Sequence, residues 1–373
     1  MFTSVLNALA KRRSRDPWAD AQRAEAIVIR MDELSQVLGQ GVKPNSFSFN
    51  AVLDCYSRCR KNEAAPRHAE KILKHMHAIH EAGHKGVKPT VISYTSVMNC
   101  WVNSFAPEAP DRVEWLYQDL KSRFEATRDR SLKPSQYTFN ALIGAYARNT
   151  TRSDSVERAK SHFLAMMEQY KETGDLDLRP GPMHFSAIMG AMSRRGLADE
   201  ASQFLDHIVD ICREYYGTGC GEKIEIVTSF NSLITAHAKS KVPGSAERAE
   251  AALRRMQNLG PMAKFIAAPP SVYSYTSVML AWSLASTAEE KAEAVTRCEV
   301  LLQEMLIQAK AGNSSLAPNQ FTFGTFLQVI VGSSLPNKKE KADDVLEIMK
   351  QCGVKPDSFV LDLVKKCEKG VGE

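Results

Sequence analysis

Lys133-Pro134-Ser135-Gln136-Tyr137-Thr138-Phe139-Asn140 decides the fold, because the chain says it more than once. The phrase stands earlier as Lys43-Pro44-Asn45-Ser46-Phe47-Ser48-Phe49-Asn50 and as Lys88-Pro89-Thr90-Val91-Ile92-Ser93-Tyr94-Thr95. With drift it returns at 180–186, 226–231, 270–276 and 318–324. Counted on the residue after the second aromatic, the sites are Thr3, Asn50, Thr95, Asn140, Ser186, Asn231, Thr276 and Gly324, spaced by 47, 45, 45, 46, 45, 45 and 48 residues. A period in this range marks a solenoid, whose binding surface is repeated rather than a single pocket.

One period reads as two helices. Pro134 places Ser135 at a helix N-cap, a position that favours Ser, Thr, Asn and Asp. Phe139, Leu142, Ile143 and Tyr146 then recur at helical spacing, so one face is apolar. The polar run 149–154 is a turn, and a second helix follows with Ala159, Phe163, Met166 and Met167 on its buried side. Elsewhere the second helices pair a small residue with a larger apolar one seven later: Ala24/Met31, Ala69/Met76, Val113/Leu120, Ala249/Met256, Cys298/Met305 and Ala342/Met349. Seven residues are two turns, which keeps both on one face. Two helices cannot bury that surface alone, so neighbours must stack. The sequence predicts an all-α protein, a right-handed α-solenoid of helix-turn-helix repeats. Its expected units are 1–45 (truncated), 46–90, 91–135, 136–181, 182–226, 227–271, 272–319 and 320–357, with a C-terminal capping helix at 358–373, in one array over 1–373.

The 373 residues carry a net charge of +5, which permits a polyanionic partner. No apolar stretch approaches the ~20 residues that span a bilayer, so no membrane partner is expected. Cys55 and Cys100 fall where other repeats place alanine, and Cys298 stands in a slot filled elsewhere by Ala24, Ala69, Ala159, Ala249 and Ala342. Packing rather than a disulfide framework explains them. The segment 1–15 holds Lys11, Arg12, Arg13 and Arg15 and no acid, as a transit peptide would. Yet Phe2-Thr3-Ser4-Val5-Leu6 aligns without a gap onto Phe230-Asn231-Ser232-Leu233-Ile234, so a truncated first repeat is expected instead.

This pattern resembles the pentatricopeptide repeat family of RNA-binding proteins. The resemblance is carried by Gly-Val-Lys-Pro before the first helix, at 41–44, 86–89 and 353–356, and by an aromatic–polar–small first helix as in Phe139-Asn140-Ala141-Leu142-Ile143. An Arg-Ala-Glu second helix ending in Met, at 23–31 and 248–256, completes it. The Trp-x-x-Leu-Gly-x-x-Tyr phrase of tetratricopeptide repeats is missing. Most units here are longer than the family's, with the excess placed in turns and after second helices, for example 215–221. The resemblance implies sequence-selective binding of single-stranded RNA by a monomer, one base per repeat, serving RNA processing, stability or translation in a mitochondrion or chloroplast.

Two base readers per repeat are implied: the residue after the second aromatic and the residue after the closing proline. The pairs are Thr3/Asn45, Asn50/Thr90, Thr95/Ser135, Asn140/Gly181, Ser186/Ile226, Asn231/Ser271, Thr276/Asn319 and Gly324/Asp357. By the family code they read A-Y-R-Y-R-Y-A-N from 5′ to 3′. Ile226 cannot hydrogen-bond and Gly324 has no side chain, so those two units are poorly coded. N-capping alone would also select Asn45, Thr90, Ser135, Ser271, Asn319 and Asp357. Two residues before the invariant aromatic stand Phe47, Ile92, Tyr137, Met183, Tyr273 and Phe321, which the resemblance makes base-stacking groups, with inter-repeat packing as the other use. Basic residues early in the second helices (Arg23, His68, Arg112, Arg158, Arg248, Arg297, Lys341) have two open uses, phosphate pairing and i,i+4 surface pairing.

His77, His80 and His84 could share a face but lack a cysteine or carboxylate at ligand spacing, so no metal is expected. No phosphate loop, nucleophile elbow or zincin motif occurs, and Ser358 to Glu373 allow one more helix and no catalytic appendage. The expectation is a binder without cofactor or catalysis. Two alternatives stand beside RNA reading: a protein-interaction scaffold, and the recognition arm of a split RNA-processing enzyme whose catalytic chain is separate.

Overall fold

Each proline-led phrase starts a helix, because the residue after the proline is extended and can cap the four N–H groups that open a helix. The computed structural model describes residues 2–12, 14–38, 42–217, 223–262 and 265–369. The α-helices are α1 (Phe2–Lys11), α2 (Pro17–Leu38), α3 (Ser46–Ser57), α4 (Ala64–Glu81), α5 (Val91–Ser104), α6 (Ala109–Thr127), α7 (Gln136–Arg148), α8 (Ser155–Thr173), α9 (Pro182–Arg195), α10 (Ala198–Tyr216), α11 (Val227–Ser240), α12 (Ser245–Met262), α13 (Val272–Ser283), α14 (Ala288–Lys310), α15 (Gln320–Gly332), α16 (Lys338–Gln351) and α17 (Ser358–Lys369). The all-α expectation holds apart from one short parallel pair, β1 (Ile224–Glu225) with β2 (Ile266–Ala267). The capping helix expected at 358–373 is α17, and residues 370–373 lie outside the described residues, as do Met1, Arg13, Gly41 and 218–222.

The chain divides into two compact units, Met1–Ile188 and Met189–Glu373. In the first, α1, α3, α5 and α7 lie side by side in chain order, while α2, α4 and α6 each pack on their own partner and on the next odd helix. In the second, α11, α13, α15 and α17 line up in the same way, with α10, α12, α14 and α16 between them. Stacked hairpins of this kind are the α-solenoid the period demanded. The aromatics Phe49, Tyr94, Phe139, Phe185, Phe230, Tyr275 and Phe323 are all buried. So is every small/large pair of the second helices, from Ala24/Met31 to Ala342/Met349. Cys55, Cys100 and Cys298 are buried as well, and burial pushes the Cys55 thiol up to about 12.

The extra length of the units has a structure. Single 3-10 turns at Lys85–Val87, Arg130–Leu132, Leu176–Leu178 and Ser314–Leu316 precede the prolines and bury Val87, Leu132, Leu178 and Leu316. The lysine of the opening phrase reaches the residue that opens the next such turn. Lys43 Nζ meets His84 Nδ1 at 3.1 Å, Lys88 pairs with Asp129, and Lys133 Nζ lies 2.5 Å from Asp175. Asp129 in turn accepts the Ser131 N–H at 3.0 Å.

A carboxylate locks successive hairpins. Glu70, 9% exposed, follows the small Ala69 of α4 and accepts from the Trp101 indole N–H at 2.8 Å and from Arg112 Nε and Nη2 at 3.1 and 2.5 Å. Trp101 and Arg112 both belong to the next hairpin. Glu25 takes the Tyr56 hydroxyl with His68 Nδ1 at 4.0 Å, and Glu114 takes the Tyr146 hydroxyl. In the second unit Glu250 takes Trp282 Nε1 at 3.2 Å with Arg297 Nε at 3.7 Å, and Glu299 takes Lys341 Nζ at 2.6 Å. Four of the seven basic residues of the second helices are therefore spent between repeats, a use that neither expectation named. Arg23 and Arg158 do make local pairs, with Asp20 and Asp154, and Arg248 donates to the Pro243 carbonyl.

Glu70→Ala leaves a buried indole N–H without an acceptor and a half-exposed arginine without a partner. We expect a loss of about 2–3 kcal/mol in chemical denaturation, against less than about 0.5 for the exposed Glu125→Ala. The Lys88 ammonium, then the Ser131 N–H, hold the Asp129 carboxyl down to about 2. A depressed carboxyl contributes stability above its unfolded value of about 3.9 and loses it as pH falls toward 2. The stability gap between wild type and Lys88→Met should be full at pH 5–7 and shrink on titration from pH 4 to pH 2.

Candidate nucleic-acid interface

The start of each first helix fixes which side chains face out. Asn45, Thr90, Ser135, Ser271 and Asn319 stand at N-caps with extended backbones. Asn45 Oδ1 accepts the Ser48 N–H at 3.1 Å and Asn319 Oδ1 the Thr322 N–H at 3.0 Å, while Asp357 Oδ1 takes the Val360 N–H at 2.8 Å. At Thr90, Ser135 and Ser271 the return bond is made instead: each backbone N–H donates to the side chain three residues on, Ser93, Thr138 or Ser274, at 3.1–3.2 Å. Those third-position hydroxyls are fully buried, and the aromatic after them is buried too.

With positions three and four turned inward, position two turns outward. Exposure there runs from 37% at Met183 to 77% at Phe47, with Ile92, Tyr137, Tyr273 and Phe321 between. Scattered exposed apolar residues are normal, but the same slot filled by large groups in successive first helices is a built row within each unit: Phe47, Ile92, Tyr137 and Met183 in the first, Tyr273 and Phe321 in the second. Phe359 occupies this slot on α17 at 49% exposure. Sequence reasoning missed it, although Lys355-Pro356-Asp357 carried the signal. On α11 the slot holds the smaller Thr228.

The readers after the aromatic fall into three groups. Thr3 is exposed, and Asn50, Thr95, Asn140, Ser186 and Asn231 are half-buried beside the row. Several touch the next repeat: Asn50 Oδ1 accepts from the Ser93 hydroxyl at 2.7 Å, and Thr95 Oγ1 lies 3.3 Å from Thr138 Oγ1. Thr276 departs from the expectation. It is 2% exposed, donates to the Val272 carbonyl at 2.7 Å and meets Thr322 Oγ1 at 3.1 Å, so it has no face to offer a base. At Gly324 an added Cβ would stand 3.3 Å from the Phe359 ring, which covers the slot.

Among the second readers, Asn45, Asn319 and Asp357 are exposed and Thr90, Ser135 and Ser271 half-buried. Gly181 is buried, its N–H donating to His184 Nδ1 at 3.2 Å. Ile226 is fully buried and its N–H donates to the Ala267 carbonyl at 3.1 Å, extending the β1–β2 pairing. The poorly coded Ile226 slot is thus a structural one.

A basic feature also escaped the sequence reading. Arg58 and Arg148 stand eleven residues after Phe47 and Tyr137, three helical turns along the same face. Lys239 stands at the same remove from Thr228. Arg148 Nη1 donates to Asn103 Oδ1 at 2.7 Å, and burial, then the neighbouring Arg60, push its pKa down. An arginine crowded by another cation stays charged and attracts an anion.

Two of the three histidines are engaged separately: His77 Nε2 meets the Tyr94 hydroxyl at 2.9 Å and His84 Nδ1 meets Lys43 at 3.1 Å. No group of three metal-ligating side chains occurs among the described residues, and no helix there is long and apolar enough to cross a membrane.

The pentatricopeptide repeat domain profile matches residues 34–104, which span the second and third phrases counted from Thr3. Residues 34–104 thus carry the pentatricopeptide repeat pattern. It is similar to a pentatricopeptide repeat-containing protein of Arabidopsis thaliana, 28% identical over 153 residues, 41% of this chain and 22% of the relative. Among solved structures it is similar to the pentatricopeptide repeat protein PPR10 from maize, at 19% identity and TM-score 0.45, over 99% of this chain and 52% of that one. The same protein in complex with an 18-nucleotide psaJ RNA element gives 19% identity, TM-score 0.40, and coverage of 99% and 51%. The chain thus spans about a fifth of the curated relative and about half of the solved chains.

If Ile226 is structural, a hydrogen-bonding residue cannot be installed there without cost. Ile226→Asn buries an amide and removes packed methyls, with an expected loss of about 2–4 kcal/mol in denaturant unfolding. Thr90→Asn, at a half-buried cap, should cost less than about 1 kcal/mol.

Proposed function

We propose that this chain binds single-stranded RNA sequence-selectively, each phrase-to-phrase segment offering a slot for one base. The observation that carries the reading is the outward row Phe47, Ile92, Tyr137, each beside a half-buried polar residue three positions on. Aromatic rings, with a bulky apolar group at Ile92, hold bases by stacking and apolar contact, and Watson–Crick edges then meet the side chain alongside. A lone pocket would not repeat, and a protein-binding face has no need of a small polar residue in every slot.

The family code applied to the accessible readers gives A for the Thr3 slot, Y-R-Y for the Asn50, Thr95 and Asn140 slots, R for Ser186 and Y for Asn231. Thr276 and Gly324 drop out of the register, the first because it is buried and the second because Phe359 lies on it. Phosphates fall to Arg148 and Lys239, three turns along the first helices, with Arg58 at the same position but paired with Asp54 at 3.2 Å, rather than to second-helix residues paired with Glu70, Glu250 and Glu299. The chain acts as a monomeric binder without catalysis. It serves processing, stability or translation of a mitochondrial or chloroplast transcript, with any cleavage supplied by a separate enzyme.

Selection from a random RNA pool tests this. A motif containing Y-R-Y is expected, with affinity falling as salt rises because phosphate contacts release counterions. Arg148→Gln should lower the salt slope by about one. Tyr137→Ala should weaken binding by ~1–3 kcal/mol, and Asn140→Thr should turn one selected pyrimidine to a purine. Salt-insensitive binding, or no enriched motif, refutes the proposal.

A further inference from the structure

The Asn50 slot and the Asn140 slot carry the same reader, yet their surroundings differ in one respect. The Thr90 backbone N–H donates to Ser93 Oγ at 3.2 Å, so that oxygen is already an acceptor. Ser93 is fully buried, and its own hydrogen needs an acceptor. It finds Asn50 Oδ1 at 2.7 Å. Donation therefore runs in one direction, from the Thr90 amide through the Ser93 hydroxyl to the Asn50 oxygen. The amide of Asn50 is held oxygen-inward, and its Nδ2–H2 group is the end left for a ligand.

At the next slot but one the third-position residue is His184. Its Nδ1 accepts the Gly181 N–H at 3.2 Å and its Nε2 donates to the Gln136 carbonyl at 3.0 Å. Both ring nitrogens are spent, and the Asn140 side chain makes no hydrogen bond among the described residues. Its amide is free to turn over and can offer either oxygen or NH2.

We infer that Ser93 is a positioning residue that fixes the hydrogen-bonding sense of Asn50, so that this slot takes a base presenting an acceptor, such as a pyrimidine carbonyl, and takes it more strictly than the Asn140 slot does. The inference rests on the RNA-reading proposal and deepens it, assigning a specificity role to a side chain that cannot itself touch a base.

The test measures affinity for the selected RNA with each of the four bases placed in turn at the Asn50 slot and at the Asn140 slot. For wild type, discrimination between preferred and disfavoured bases should be larger at the Asn50 slot. Ser93→Ala should reduce that discrimination by about fivefold, the worth of one hydrogen bond, leave it unchanged at the Asn140 slot, and Ser93→Thr should restore it. Equal wild-type discrimination at the two slots overturns the inference, and so does a Ser93→Ala loss that is uniform across slots, which marks a merely structural role. The wild-type comparison stands even if Ser93→Ala does not fold. Failure of wild type to bind any RNA selectively refutes the underlying proposal instead, and the two failures are told apart by that first measurement.

Discussion

Glu70 receives an indole N–H and a guanidinium from the hairpin that follows its own, and it is nearly buried in doing so. Apolar stacking between hairpins is strong but non-directional, and by itself would let one hairpin slide or rotate on the next. A buried carboxylate with fixed donors does not tolerate such slippage, since moving away leaves charge and N–H groups unpaired. Its net contribution to stability is small after desolvation, so its main effect is registry. Glu25, Glu114, Glu250 and Glu299 repeat the arrangement, each one residue after a buried small or valine side chain that lets the second helices approach. Registry of the hairpins then sets registry of the first helices, and so the spacing of Phe47, Ile92 and Tyr137.

Much of this was legible because it rests on local rules. The proline and cap residue, the inward aromatic and the small/large pair of the second helix each follow from helix geometry, and the structure places them as read. What was not legible depends on partners far off in sequence. Arg112 could be seen to recur, but nothing local says that it reaches Glu70 rather than a phosphate. The 3-10 turns were read only as excess length, and the β1–β2 pair joins segments about forty residues apart whose strands are too short to show alternation. At the site, outward position two was legible at six helices and missed at Phe359, which stands two residues beyond Lys355-Pro356-Asp357. Burial of Thr276 was hidden for the opposite reason: its sequence slot is identical to that of Thr95, and only the packing of α13 against α15 separates them.

Thr276 and Asn50 also show why capping and the proposed reading would compete unequally for different residue types. Both sit where the next repeat's third-position hydroxyl can reach them, and both are drawn into that repeat's cap network. A threonine has a single proton. Once it is donated to the helix backbone at Val272, and the oxygen is engaged by Thr322, the hydroxyl has little left to distinguish one base from another. An asparagine has two ends of opposite character. It can give its oxygen to the cap network and still present an NH2 group outward, so on the proposed function structural duty would sharpen its reading rather than consume it. The same holds for Asn45 and Asn319, whose oxygens cap their own helices and whose nitrogens remain. Under the proposed RNA reading, sequence information in this array is therefore concentrated at its asparagines, and the hydroxyl slots depend far more on how tightly the adjoining helices close.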